Sequence, residues 1–374
     1  MTREAVRRVV LAPDKFKGSL TAPQVAAALA AGIARVAPTT EVRQVPVADG
    51  GDGTVDAFVA AGWTRVAITA PGPTGVLGET AYAVHGTTAV IELATVVGLE
   101  KLPGGHRDPL GASTFGLGVA IADALDRGAT EIVLGLGGSA STDGGAGMAQ
   151  ALGARLLNAD GRELSTGGAA LAHAATLDRA QLHPRIGSTT FTVASDVDNP
   201  LLGPTGAVAV YAPQKGASPT DLDILEAALA NWARLAGPDL ADQPGAGAAG
   251  GTGFGALAIL GAHVHSGIAV ILELLDFPTL LADADLVVTG EGSLDQQSLH
   301  GKAPIGVCDA ARKAGIPVVA AVGRTLLSAD EISAAGFTAC YALSDLEPDP
   351  ARSIAHAGPL LEDLGARIAA RHLC

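Results

Sequence analysis

A rhythm at the two ends of the chain limits the fold more than any other feature. Short apolar runs end in glycine-containing loops, and helix-type periodicity comes after each loop. "RRVVLAP" has the pattern of a buried strand, and "TAPQVAAALAAGIARVAP" comes after it. Thr21 and Gln24 form a capping box there, with Pro23 in the first turn. Val25, Leu29, Ile33 and Val36 recur at helical spacing until Pro38 stops the run. "EVRQVPVA" is a second strand, interrupted by Pro46, and "TVDAFVAAG" is a helix closed by Gly62. Near the other end "ADLVVTG", "IPVVAAVG" and "FTACYAL" supply three more strands. "APIGVCDAARKAG" and "SADEISAAG" are helices between them, and a helix closes the chain. Strands that alternate with helices pair in parallel, and helices cover both faces of such a sheet. Five strands from both ends therefore make one open parallel sheet.

The expected fold class is α/β, with two α/β domains, since 374 residues exceed what one core usually holds. Residues 1–70 and 283–374 form the parallel-sheet domain, and 71–282 form an inserted mixed-sheet α/β domain. The exit is placed at "APGPTG" (Ala70–Gly75), and the return within "DFPTLLAD" (Asp276–Asp283). Inside the insertion, "TAYAVHGTTAVIELA" reads as a hairpin turning at Gly86. "STFGLGVAIADALDRG" is a helix capped by Ser113, and "TDLDILEAALANWARLAG" is an amphipathic helix. "TEIVLGLG", "TFTVASDV" and "GAVAVYAPQ" are strands.

Charge and cysteine usage exclude several partners. The net charge is −14 and no basic block occurs, which argues against nucleic acid. Three scattered cysteines, Cys308, Cys340 and Cys374, make neither a disulfide framework nor a metal spacing and fit a reducing compartment. The opening apolar run is cut by Pro13, Asp14 and Lys15, so it reads as a strand and not as a signal peptide. "IAVILELLDF" is broken by Glu273 and too short to span a bilayer. The expectation is a cytoplasmic protein with no membrane partner; its oligomeric state is left open.

The chemistry concentrates in the loops. Of six lysines, four lie in glycine-containing loops: Lys15, Lys17, Lys215 and Lys302. Lysine is a compact charge suited to phosphate oxygens. "APDKFKGSL" comes after the first strand and carries Asp14, Lys15, Lys17 and Ser19. "VADGGDGT" comes after the second, and "TGEGSLDQQSLHGK" after the third. In an open parallel sheet, ligands bind beyond the carboxyl ends of the strands, so these loops share a rim. "VADGGDGT" resembles a phosphate loop yet carries Asp49 and Asp52. Carboxylates beside phosphates make sense with a cation between them, and Mg2+ takes one or two carboxylates plus water and phosphate oxygens. Asp49, Asp52, Glu291 and Asp295 are the candidates for holding metal or orienting substrate.

The insertion adds "GLGGSASTDGGAGM" (Gly135–Met148), whose N–H groups and Ser139, Ser141 and Thr142 hydroxyls suit an anion. Gly135, Gly137 and Ala140 also fit a loose dinucleotide pattern. "GAGAAG" (Gly245–Gly250) fits it literally but has no strand before it. In "VASDVDNPLLG", Asp196 and Asp198 share a face if the strand continues through them. One could take a proton from an alcohol and the other bind metal or orient the substrate. Arg107, in "HRDPLGAST", offers a planar fork for a carboxylate. His263 and His265 have one-face spacing but lack a third ligand, which favours a structural role.

Together "DKFKGSL", "VADGGDGT", "RDPLGASTFG", "GLGGSASTDGGAGM", "ASDVDNPLLG", "APQKGA", "GAGAAGG" and the "GEGSLDQQS" and "GK" segments resemble the bacterial class I glycerate kinase (glycerate 2-kinase) family, in its order, from Asp14 to Lys302. Asp52 stands where that pattern more often has Glu, and Thr142 where it more often has Asn. The resemblance implies a flavodoxin-like domain made from both chain ends, an inserted α/β domain, and an active site in the cleft between them. It also implies phosphorylation of D-glycerate by ATP with Mg2+, giving 2-phosphoglycerate. Asp196 is then the base, while Lys15 and Lys215 neutralise the moving phosphoryl group. Arg107, Ser19 and Asp198 hold glycerate. Gly137, Gly138, Ser139, Thr142, Asp143 and Lys302 hold the nucleotide, and Asp49, Glu291 and Asp295 hold the metal. The rival readings are a nicotinamide-dependent dehydrogenase and a non-catalytic nucleotide or hydroxy-acid sensor.

Overall fold

The computed structural model describes residues 6–374, so residues 1–5 of the first expected domain lie outside the described residues. The chain divides into two compact units. One comprises the chain up to Asp49, Asp56–Gly62 and Ser266–Cys374; the other comprises Gly50–Val55 and Trp63–His265.

The first unit holds the five expected strands: Arg8–Pro13, Glu41–Gln44, Leu286–Gly290, Val318–Val322 and Ala339–Ala342. All neighbours are parallel. Numbered by chain position, they stand side by side in the order 2-1-3-4-5, the flavodoxin-like order. The strand order reverses between the first and third strands, and a ligand crevice in this topology opens at that point. Both faces of the three central strands are buried. Val9, Leu11, Val288 and Val319 pack with Leu29, Ile33, Leu361 and Leu364 of the helices Ala22–Val36 and Ala357–His372. On the alternate positions Val10, Val287 and Val318 are 0% exposed as well. The Thr21–Gln24 capping box forms as the sequence predicts, with the Gln24 N–H donating to the Thr21 hydroxyl at 3.4 Å. Pro46 ends the second strand's ladder, but the Val45 and Val47 N–H groups still donate to Leu11 and Pro13, at 2.8 and 3.0 Å. That carries the chain along the first strand as far as Asp49.

The second unit is built on a six-stranded mixed sheet. Its order is His263–His265, Thr190–Ala194, Glu131–Gly135, Thr88–Glu92, Leu77–His85 and Thr64–Pro71. The first four strands run parallel; Leu77–His85 is antiparallel to Thr88–Glu92, and Thr64–Pro71 is antiparallel to Leu77–His85. Trp232, Tyr82, Phe191 and Phe254 centre its core, and the Trp232 indole N–H donates to the Gly144 carbonyl at 2.9 Å.

Several expectations need correcting. The Ala70–Gly75 stretch is no linker, because Pro71 closes a strand paired with Leu77–His85 and the proline-glycine segment is the hairpin's turn. The chain crosses instead for Gly50–Val55, returns for Asp56–Gly62, and crosses again at Gly62–Trp63. On the return, Asp276–Asp283 contains the helix Phe277–Leu281, so the crossing falls at His265–Ser266. "GAVAVYAPQ" is not a strand: Ala207–Tyr211 is helical. A short unbroken apolar run has no period to separate strand from buried helix. The strand expected through Asp196 and Asp198 stops at Ala194, so alternation across a strand face does not place those two side chains. Ser113 lies one residue outside the expected cap position, with Thr114 at the N-cap, although its hydroxyl accepts the Phe115 N–H at 3.1 Å.

Candidate active site

In the first unit, the loops after the first and third strands meet. A β-carbon on Gly292 would lie 3.4 Å from the Lys17 main-chain nitrogen, and the Gly323 N–H donates to the Glu291 carbonyl at 3.0 Å. With the loop after the second strand, these loops bring Asp14, Asp49 and Glu291 within electrostatic reach of one another. Asp14 is 8% exposed, and one of its oxygens accepts the Lys15 N–H at 2.6 Å. Burial pushes its carboxyl up to about 7. The Lys15 ammonium and N–H pull the other way, and the carboxylates of Asp49 and Glu291 push it further up. Burial also raises Glu291. The Ser298 hydroxyl and the Lys302 ammonium oppose that rise, while Asp295 and Asp49 add to it. Glu291 Oε1 is buried and has no hydrogen-bond partner among the described residues.

The remaining expected groups of this unit divide. Lys15 and Lys302 are half-buried, and Lys302 sits at the N-cap of the helix Ala303–Lys313. Asp295 uses Oδ1 for a local turn, accepting the Gln297 and Ser298 N–H groups at 2.9 and 3.3 Å. The Ser19 hydroxyl donates to the Ile354 carbonyl at 2.9 Å, which occupies the donor expected to face a substrate. No group of three or more His, Cys, Asp or Glu among the described residues is placed to hold a metal by itself. A magnesium ion does not require one, because water and phosphate oxygens complete its shell. A buried carboxylate oxygen with no donor suits such an ion.

In the second unit, the loops beyond the four parallel strands carry the other candidates. The turn Gly50–Val55 lies directly against two of these strand ends. A β-carbon on Gly135 would come 2.4 Å from the Gly50 carbonyl oxygen, one on Gly50 2.4 Å from that of Ala194, and one on Gly137 2.5 Å from the Gly51 α-carbon. Only a backbone without side chains fits there.

The Gly137–Asp143 loop has an accessible lip and a buried floor. Gly138 is exposed and Gly137 half-buried, whereas Ser139, Ser141, Thr142 and Asp143 are at most 4% exposed. Asp143 Oδ2 accepts from the Thr114 N–H at 2.8 Å, the Thr114 hydroxyl at 2.9 Å and the Gly147 N–H at 3.2 Å. Its Oδ1 accepts the Gly145 N–H, also at 3.2 Å. Burial still raises its pKa against those bonds. Thr142 Oγ1 is buried without a partner among the described residues. Lys215 is 2% exposed, and its ammonium donates to the Ser141 carbonyl. Burial lowers Lys215 to about 7, with Asp143 acting in the opposite direction. The helix after the loop opens only at Ala146, not at Ala140 as a dinucleotide turn requires.

Arg107 is exposed, and its stem lies on the next residue of the lysine's turn: a β-carbon on Gly216 would be 2.9 Å from the Arg107 β-carbon. Asp196 and Asp198 are exposed beyond the Thr190–Ala194 strand, and Asp198 is close enough to raise the Tyr211 phenol, though less than burial does. Sequence reasoning missed Glu92. It is 0% exposed at the end of its strand, and its two oxygens accept the Gly53 and Val55 N–H groups at 3.1 and 3.0 Å. The signal for it was a lone carboxylate at the end of the apolar run "AVIE".

Comparison with known proteins adds a family. The model described as "Glycerate kinase family" matches residues 9–373. A glycerate kinase of Halalkalibacterium halodurans is 44% identical over 342 residues, covering 90% of each chain. One from Bacillus subtilis is 42% identical and covers 97% of each, and the glycerate 2-kinase of Escherichia coli is 44% identical, covering 84% of this chain and 85% of its own. A crystal structure from Salmonella typhimurium LT2, described provisionally as glycerate kinase 2, superposes with a TM-score of 0.86 at 39% identity over 98% of both chains.

Proposed function

Because the chain belongs to the glycerate kinase family and is a glycerate kinase, we propose that it transfers the γ-phosphoryl group of ATP to D-glycerate in the presence of Mg2+, giving 2-phosphoglycerate. Phosphoryl transfer asks a protein for alignment and charge neutralisation more than for covalent chemistry. Asp49, Glu291 and Asp295 would hold a magnesium ion, directly or through water, and such an ion would supply neutralisation of phosphate charge. Lys15 faces the transferring phosphoryl group and Lys302 the nucleotide phosphates, where the N-terminus of its helix adds a favourable dipole.

In the inserted unit, Asp196 orients the glycerate hydroxyl and accepts its proton, and Asp198 stands beside it on the substrate. Arg107 receives the glycerate carboxylate. Ser19 can donate to a substrate only by giving up its bond to Ile354. Gly137 and Gly138 present main-chain N–H groups to phosphate. Ser139, Thr142 and Asp143 support that lip from below, and Lys215 adds positive charge through the same loop.

The observation that carries this reading is Glu291 Oε1, buried with no hydrogen-bond partner among the described residues, in a carboxyl coupled to Asp14 and Asp49. Phosphorus NMR of the product formed from D-glycerate and Mg-ATP tests it. A phosphate ester on C2 couples to one methine proton and gives a doublet, whereas an ester on C3 couples to a methylene and gives a triplet. A triplet refutes the regiochemistry, and ATP consumption with no new ester refutes the reaction.

A further inference from the structure

Glu92 is a fully buried carboxylate for which the roles above have no use. A buried charge is a poor space-filler, since an apolar side chain of similar size would cost less to enclose. What Glu92 does is hold a turn. Its oxygens accept from Gly53 and Val55, on either side of the first residue of the helix Thr54–Ala60, where N–H groups have no partner within the helix. The Thr54 hydroxyl closes the same turn on the Gly51 carbonyl at 2.6 Å. On its other side the turn rests on Gly135, which pairs in register with Glu92 on the neighbouring strand. Asp52 is the exposed residue at the tip, between Gly51 and Gly53.

We propose that Glu92 is a positioning residue for phosphoryl transfer: through its two main-chain bonds it fixes the Gly50–Val55 turn so that the Asp52 carboxylate is presented in one orientation. The inference rests on the kinase reading and on the expectation, from the loop "VADGGDGT", that Asp52 orients substrate or metal. A misplacement of about 1 Å at such a site lowers turnover by up to about a hundredfold.

The test compares Glu92→Gln, Asp52→Asn and the double variant with wild type, in full-length protein. Glu92→Gln keeps the shape but replaces one acceptor oxygen with an amide that cannot accept an N–H. Expected are a kcat lowered about tenfold or more, KM for D-glycerate changed by less than about threefold, and faster exchange of the Gly53 and Val55 amides with core amides unaffected. The double variant loses less than the product of the single losses, because both act through one carboxylate. A kcat within about twofold of wild type, or losses that multiply, overturns the proposal. Should Glu92→Gln fail to fold, Glu92→Asp carries the same comparison; if both fail, Glu92 serves stability alone and the proposal is wrong. Wild-type protein that makes no phosphate ester from glycerate would instead refute the kinase reading, while amide exchange still reports whether Glu92 holds the turn.

Discussion

The Lys215 ammonium donates to the main-chain carbonyl of Ser141, and both residues are buried. A lysine here acts on the shape of a loop before it acts on any ligand. Its charge is held at a carbonyl and near Asp143, with burial working against it.

That arrangement makes stability depend on pH. An unfolded chain keeps the Lys215 proton up to its ordinary value of 10.5, whereas the folded protein releases it near 7. Between those values the unfolded state binds more protons, so this group's contribution to stability rises with pH across the window. Lys215→Met removes it. The wild-type unfolding free energy, relative to the variant's, is expected to increase from pH 7 toward pH 10; urea unfolding across that range measures it, and parallel curves would refute it.

Gly135→Ala is expected to destabilise the protein by about 1–3 kcal/mol, because the added methyl group meets the Gly50 carbonyl and must push the turn away. Denaturant midpoints read the stability, and kcat should fall in the same variant. Unchanged values of both would mean that the two strands of backbone separate freely.

Asp196→Asn should leave folding intact, since the side chain is exposed. Loss of the proton acceptor lowers kcat by about 10²–10⁴. Coupled ADP-release kinetics measure this, and a rate within a few-fold of wild type would remove Asp196 from the mechanism.

Glu291→Gln keeps the volume but replaces one carboxylate oxygen with an amide donor. The magnesium concentration for half-maximal rate is expected to rise by about tenfold or more, in titrations at saturating ATP. An unaltered magnesium dependence would assign Glu291 to substrate or to structure.

The parallel sheet was legible because its strands are short runs separated by helices, two of which open on a capping box, at Thr21 and Gln24 and at Ser328 and Glu331. Local chemistry and tertiary position agree at those points. The rim loops were legible for a related reason, since topology alone places the loop at the carboxyl end of a parallel strand. Ala207–Tyr211 was misread because four apolar side chains in a row satisfy either backbone. The unit crossings were misread because proline and glycine mark a hairpin turn as readily as a linker, and only the pairing of Pro71 with Leu77 distinguishes the two. Burial was the hardest property to read. Lys215, Asp143 and Glu92 look like surface charges in sequence, and their enclosure depends on side chains far away in the chain.

The seam where Gly50 meets Gly135 and Ala194 has a consequence for variation. Peptide groups touch there with nothing compressible between them, so no neighbouring substitution can make room for a larger residue. A randomised library selected for turnover should return glycine alone at 50 and 135. At Gly62, where the surroundings are open and only the left-handed backbone constrains the choice, asparagine should also survive. Abundant glycine in this protein therefore marks two unlike things, immovable joints and ordinary bends, and a selection experiment would sort one from the other.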